Sequence, residues 1–425
     1  MKQNRFVSVL QLTLLSASVG LASPVHAEDQ ASGTAPLWSL GGHFQLRYEG
    51  NEYTDLAYNR DFASLRLRTN FAFTPVKETW VVLTPQAVKY MGRSEFVGAS
   101  ATTNSAQVTS GQVYDTALSL HQAYGVYQPV ESVSLMVGRQ MLAYGDEFIV
   151  GALDWQAIGR SFDAAKLKLH FGPWKSDLFA SKIVNNSITS SDPAVGDVNF
   201  FGFYNTFDLG DWAKATEVYL FDHLDSTTAA SPKNLLAVGA RLKSVTPIGL
   251  DYRLEAVKEF GNTVSDGVDA HALDLEVGYT LASVMNLRLA GQGFMTGKNY
   301  NQLYPTAHKW LGYADVLGRR NVSGFAAHAG IEPFQGFTTV VDFHYFLRTA
   351  TDAPAYKLNG TTAIGTASDS SAAIGSEVDL TFKYQVSKPL SFTLGGSLFF
   401  AGDYLRPALG DRIPGFYHAS MNVTF

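Results

Sequence analysis

The chain closes on Gly415-Phe-Tyr-His-Ala-Ser-Met-Asn-Val-Thr-Phe425. Counted back from the last residue, Phe425, Val423, Met421, Ala419 and Tyr417 fall on one face, with Thr424, Asn422, Ser420 and His418 on the other. A period of two describes a strand with one oily face and one wet face. A closing strand of this kind, ending on an aromatic residue, is how bacterial outer-membrane barrels end.

The opposite end agrees. Lys2 and Arg5 precede an apolar run from Phe6 to Leu21, and Val25-His26-Ala27 offers small residues at a cleavage site. This pattern predicts a secretory signal peptide over residues 1–27, cleaved near Ala27, and a single mature domain over 28–425. Beyond it no apolar run is long enough for a transmembrane helix. Yet 46% of the residues are hydrophobic and 13% aromatic. A closed barrel reconciles these facts, because it crosses lipid on short alternating strands.

Charge and composition exclude several functions. Without the leader the chain carries 30 Lys and Arg against 38 Asp and Glu, a net of −8 that gives nucleic acid no footing. There is no cysteine, which removes disulfides and thiolate metal sites. The ten histidines lack ligand spacing, and no Gly-x-Ser-x-Gly, HExxH, P-loop or EF-hand pattern occurs. No catalytic residue, metal or cofactor is expected.

Tight-turn signals recur along the chain. They are Thr74–Lys77, Gln128–Glu131, Phe171–Trp174, Asp208–Asp211, Thr246–Gly249, Ala282–Met285, Glu332–Gln335 and Ser387–Leu390. Eight such turns pair sixteen strands, and an opening and a closing strand make eighteen. An even count puts both ends on the periplasmic side and the longer connections outside. Of these, Gly98–Gly111 and Thr349–Gly375 have the composition of mobile outer loops. Trp80, Trp174 and Trp212 sit beside short turns, where an interfacial girdle belongs.

Alternation assigns the inner face. Arg47, Arg66, Arg68, Lys166, Lys168, Arg241, Lys243, Arg253, Arg288, Arg348 and Lys383 point inward, with Glu49, Asp251, Glu255, Asp274, Glu276, Asp342, Glu377 and Asp379. Eleven bases against eight acids reverse the sign of the whole chain. In a low-dielectric bore this favours anions, although the same groups could simply pair across strands. Between two strands, Gly138–Asp163 crowds arginines, acids and aromatics. Folded inward, its arginines could fork onto carboxylates while Tyr144 and Trp155 stack on sugar faces; alternatively the loop braces the wall. Tyr300–Asp315 could constrict the mouth or cap it.

Gly138-Arg139-Gln140, Tyr144-Gly145-Asp146, Asp154-Trp155 and Gly159–Asp163 resemble the alginate-export family of outer-membrane barrels. So do Leu303–Lys309, Gly312–Asp315, Gly375–Asp379 and Phe400–Tyr404. The resemblance implies an eighteen-stranded barrel with an arginine-lined passage for an anionic polymer. It carries a pore role onto Arg139, Arg160, Asp146, Asp154 and Asp163. The expectation is a passive outer-membrane channel for an anionic or hydroxyl-rich saccharide. Its partners would be lipid, the saccharide and periplasmic export or uptake components, and it would act as a monomer. Two alternatives stand beside it: an uptake porin for small organic anions or oligosaccharides, and a barrel lipase or deacylase.

Overall fold

The computed structural model describes residues 37–52, 60–91, 117–184, 197–226, 233–262, 267–365 and 369–425. The signal-peptide reading of 1–27 and the Gly98–Gly111 loop lie outside them.

The barrel opens with β1 (Trp38–Glu52), β2 (Arg60–Val76), β3 (Thr79–Met91), β4 (Ala117–Val130), β5 (Val133–Gln140) and β6 (Phe162–Phe171). It continues through β7 (Trp174–Val184), β8 (Val198–Phe207), β9 (Ala215–Asp225), β10 (Lys233–Val245), β11 (Leu250–Asn262) and β12 (Gly267–Leu281). It ends with β13 (Leu287–Thr296), β14 (Ser323–Phe334), β15 (Phe337–Leu347), β16 (Ala373–Ser387), β17 (Leu390–Ala401) and β18 (Gly415–Thr424). Each strand pairs antiparallel with its neighbours in sequence, and β18 pairs with β1, so the 18-stranded sheet has no free edge. Every backbone group in lipid is thereby satisfied. No helix of the described residues is long and apolar enough to cross a membrane; strands do so instead.

All eight expected turns fall at strand junctions. At the seam Gly42 donates to the Phe425 carbonyl at 2.8 Å and accepts its N–H at 3.1 Å. A Cβ on Gly42 would lie 2.5 Å from the Phe425 ring, so only glycine lets that ring pass.

The outer face is oily: Leu65 and Leu67 alternate with the inward Arg66 and Arg68, which are 0% and 5% exposed. The inner face has two characters. Toward the short turns it is polar. Toward the long loops, β6 to β12 turn Phe162, Phe200, Tyr219, Phe221, Leu235 and Val257 inward, all buried. These residues belong to a continuous apolar cluster that includes Leu142, Phe148, Ile149, Val150, Tyr300 and Trp310 from the long connections. Burying this much apolar surface needs something to fill the barrel, and the loops do so.

Two expectations about placement are corrected. Trp80 is not a girdle residue: it shares the inward face of β3 with the buried Val82, Thr84 and Val88, while Val81 and Leu83 face lipid. Residues 349–365 and 369–372 are not a free outer loop. Arg348 donates to Thr351, Ala353 and Ser371 carbonyls, and Asn321 holds Ala350, Ala353 and Pro354.

Candidate functional site

The 141–161 connection enters the barrel and is held from opposite walls. Arg66 and Arg68 lie near the middle of the 17-residue β2. Arg66 donates to Asp154 Oδ1 and Oδ2 at 3.1 and 3.3 Å, to the Asp154 carbonyl at 3.1 Å, and to the Gln156 carbonyl at 3.3 Å. Arg68 donates to the same carboxylate, to Gln86, and to the Ile158 carbonyl at 2.9 Å. Arg47 of β1 donates to the Trp155 carbonyl and to Glu49. Opposite them, Arg241 and Lys243 of β10 reach Asp146 at 2.6 and 2.7 Å. Burial by itself would raise the carboxyl pKa of Asp154, but Arg66 and Arg68 outweigh it and hold it below the ordinary carboxylate range. Asp146 behaves likewise, with Arg241 and Lys243 opposing burial.

A second connection, 297–322, folds in against the first. Val150 and Tyr304 form a parallel bridge, with Gly151 N–H to Tyr304 O at 2.8 Å and Tyr304 N–H to Ile149 O at 2.9 Å. Arg160 staples the pair, donating to the carbonyls of Gly151 (3.2 Å), Tyr304 and Pro305 (3.1 Å). Burial pushes its guanidinium down to about 10, so it stays protonated at neutral pH. Two guanidinium groups, Arg253 and Arg319, each lie 4.3 Å from the Trp310 ring centre. Glu377 of β16 accepts the Ala314 N–H at 2.7 Å and ties this loop to the far wall.

The predicted residues therefore separate. Asp146, Asp154, Arg160, Tyr144 and Trp155 meet inside the bore, but as a brace. Trp155 is covered on one face by His308, with ring centres 3.8 Å apart, and by the Arg47 guanidinium at 4.4 Å. Tyr144 stacks on Tyr204 and Phe179 and donates to Asp177. Both rings are thus packed into the brace, which corrects the expectation that they stand free to stack on sugars.

Arg139 and Asp163 do not join the bore. Arg139 shares the outward parity of Leu135 and Val137, which are 42% and 53% exposed. It pairs across strands with Asp163 through two 2.8 Å hydrogen bonds, and their side chains are 47% and 55% exposed. The pore role carried onto them is corrected to a pair on the outside of the barrel.

Arg47, Arg66, Arg68, Lys166, Lys168, Arg241, Lys243, Arg253, Arg288, Arg348 and Lys383 are on the inner face. Most are engaged. Arg253 bonds Asp274 (2.7 Å) and Glu276 (3.1 Å), and Arg288 bonds Asp251 (2.5 Å) and Glu276 (2.6 Å). Three inward acids escaped the sequence reading: Asp177, Glu217 and Glu259. Glu217 pairs with Arg241, and Lys166 lies 3.6 Å from Asp177. They narrow the basic excess counted from the alternation. Glu217 was hidden because β9, like its neighbour β8, is largely apolar on both faces, so no wet side stood out. Asp177 lies on β7 and Glu259 on β11.

Below the infolded loops, toward the short turns, the bore opens. One cavity of about 90 Å³ is lined by Lys243, Arg253, Arg288, Lys309, Asp251 and Glu276. A larger one of about 750 Å³ lies beside it under Tyr144 and Gly145. Among the described residues no His, Asp and Glu group could hold a metal.

A closed barrel with an oily outside, a charged inside and loops drawn into its waist defines an outer-membrane channel protein. Residues 37–414 match the alginate export family, and the chain belongs to it. No curated protein matches the chain in sequence. Among solved structures the barrel is similar to Acinetobacter baumannii OccAB1, at a TM-score of 0.65 and 10% identity over 94% of this chain and 99% of that one. It is also similar to the Pseudomonas aeruginosa outer membrane protein opdK, at 0.63 and 9% identity over 91% and 98% of the two chains. A third similar structure is P. aeruginosa OccK2 (OpdF) in complex with glucuronate, at 0.61 and 9% identity over 91% and 96%. At such identities the likeness concerns the fold. The protein resides in the bacterial outer membrane.

Proposed function

We propose that this channel passes an anionic, hydroxyl-rich saccharide of the alginate type by passive diffusion. The observation that carries the reading is the group of cations reaching the open part of the bore below the waist: Lys243, Arg253, Arg288 and Lys309. Interleaved acids keep each cation from binding too tightly, so an anionic chain could be handed from one site to the next. Family membership and the glucuronate held by a protein of the same fold support that chemistry. In this reading the protein is a monomer, catalyses nothing, and takes its direction of transport from periplasmic components.

Uptake of small organic anions or short oligosaccharides is the second reading. It is favoured by the infolded loops, which must yield before a polymer can pass. A size series of uronate oligomers and neutral glucans, offered to proteoliposomes, tests both. The first reading expects long uronate chains to cross faster than neutral chains of equal length. A sharp cut-off at one or two sugars would leave the second, and cation preference with no uronate passage would remove both.

A further inference from the structure

At the waist Trp155 and Tyr144 are already packed against other side chains. The cavity beneath it offers what they lack. Trp80 and Tyr124 both line the 750 Å³ space. Among the described residues neither ring stacks on another aromatic, and neither carries a cation over its face. The Trp80 indole N–H is buried without a hydrogen-bond partner, and so is the Oε1 acceptor of Gln140, a residue of the same lining that is 1% exposed. A buried donor and a buried acceptor without partners, both in side chains of one cavity lining, point to a ligand with hydroxyl groups.

The strand register supplies the rest of the site. Trp80, Val126, Met136 and Lys166 stand opposite one another across β3, β4, β5 and β6, a row of three strand spacings or about 14 Å along the wall. In the adjoining row Tyr124 is followed by Gly138 and Ala164. Beside Tyr124 the wall thus carries almost no side chain, while Val126 and Met136 stand between Trp80 and Lys166. Lys168 and Lys175 extend this end toward the short turns, where Glu131 and Asp177, the latter 3.6 Å from Lys166, share the lining.

We propose that this wall is a saccharide-docking subsite at the periplasmic mouth. Pyranose rings would lie on Trp80 and Tyr124, their hydroxyls would meet the indole N–H and the Gln140 amide oxygen, and a carboxylate would reach Lys166, Lys168 or Lys175. The inference rests on the saccharide-channel reading and adds where, and on which side, the sugar is first held.

Titration calorimetry on the full chain in detergent, with a uronate trisaccharide and an uncharged glucose trisaccharide as probes, tests it. The wild type binds both and the charged one more tightly. A double change, Trp80→Ala with Tyr124→Ala, weakens both by about tenfold, and Trp80→Phe with Tyr124→Phe restores most of the loss. Lys166→Gln with Lys175→Gln weakens only the uronate. Heat-modifiable migration on gels verifies that each variant is a folded barrel. Wild-type affinity for both sugars in the alanine double variant overturns the subsite. Passage of the uronate through wild-type liposomes, measured separately, would then leave the channel reading standing.

Discussion

Two Arg–Asp constellations sit on opposite sides of the same wall. Arg66 and Arg68 grip Asp154 inside the bore, with side chains 1%, 6% and 11% exposed. Arg139 and Asp163 join through a fork on the outside. Residue types are alike, and the outer fork, at 2.8 Å, is tighter than the 3.1 and 3.3 Å bonds from Arg66. What separates the two is parity along a strand and the surroundings that follow. Inside, two cations share one buried carboxylate and hold a loop in place. Outside, the pair joins two neighbouring strands and holds no loop.

This contrast can be broken most forcefully at Asp154. Asp154→Ala would leave two guanidinium groups buried without a counter-charge, a loss of about 3–5 kcal/mol. Hydrogen exchange across 141–161 should quicken and single-channel conductance should rise several-fold. An unchanged current would mean that the waist does not depend on this anchor.

Acid tests both anchors together. Because Asp146 and Asp154 have depressed pKa values, their contribution is complete above the ordinary carboxylate value near 3.9 and drains away as pH falls through the lower values. Current should therefore be steady at pH 5 and grow noisy only below about pH 3. Noise appearing between pH 6 and 5 would assign the transition to other groups.

Trp155→Ala removes the ring packed between Arg47 and His308 and should cost about 1 kcal/mol, seen as modestly faster exchange in the same loop. The smallest effect belongs outside. Arg139→Ala should change stability by under about 1 kcal/mol and leave conductance untouched. A changed ion preference in that variant would return the residue to the pore.

The strand plan was legible because lipid outside and water inside impose a period of two, plain in Leu65-Arg-Leu-Arg-Thr-Asn-Phe-Ala-Phe73. It faded in β8 and β9, where Phe200 and Phe221 face a dry interior and Phe201 and Phe203 face lipid. Within the candidate site, the crowding of Gly138–Asp163 signalled an infolded loop, but not which of its groups would be spent on bracing. The outward turn of Arg139 was available in Val133-Ser-Leu-Met-Val-Gly-Arg-Gln140, since it shares parity with Leu135 and Val137. The family motif around it outweighed that signal. Trp80 was misplaced for the converse reason, as proximity to a turn says nothing about which way a ring points.

The infolded connections are also linked to one another. The Val150–Tyr304 bridge joins the first to the second, while Gln302 reaches the Leu358 carbonyl at 2.6 Å and Asn321 clasps three carbonyls of the third. Segments bound so densely cannot peel away singly without stranding each other's buried amides. Opening would be all-or-none, and a recording from one molecule would jump between two levels; a staircase of sublevels would speak against such concerted release.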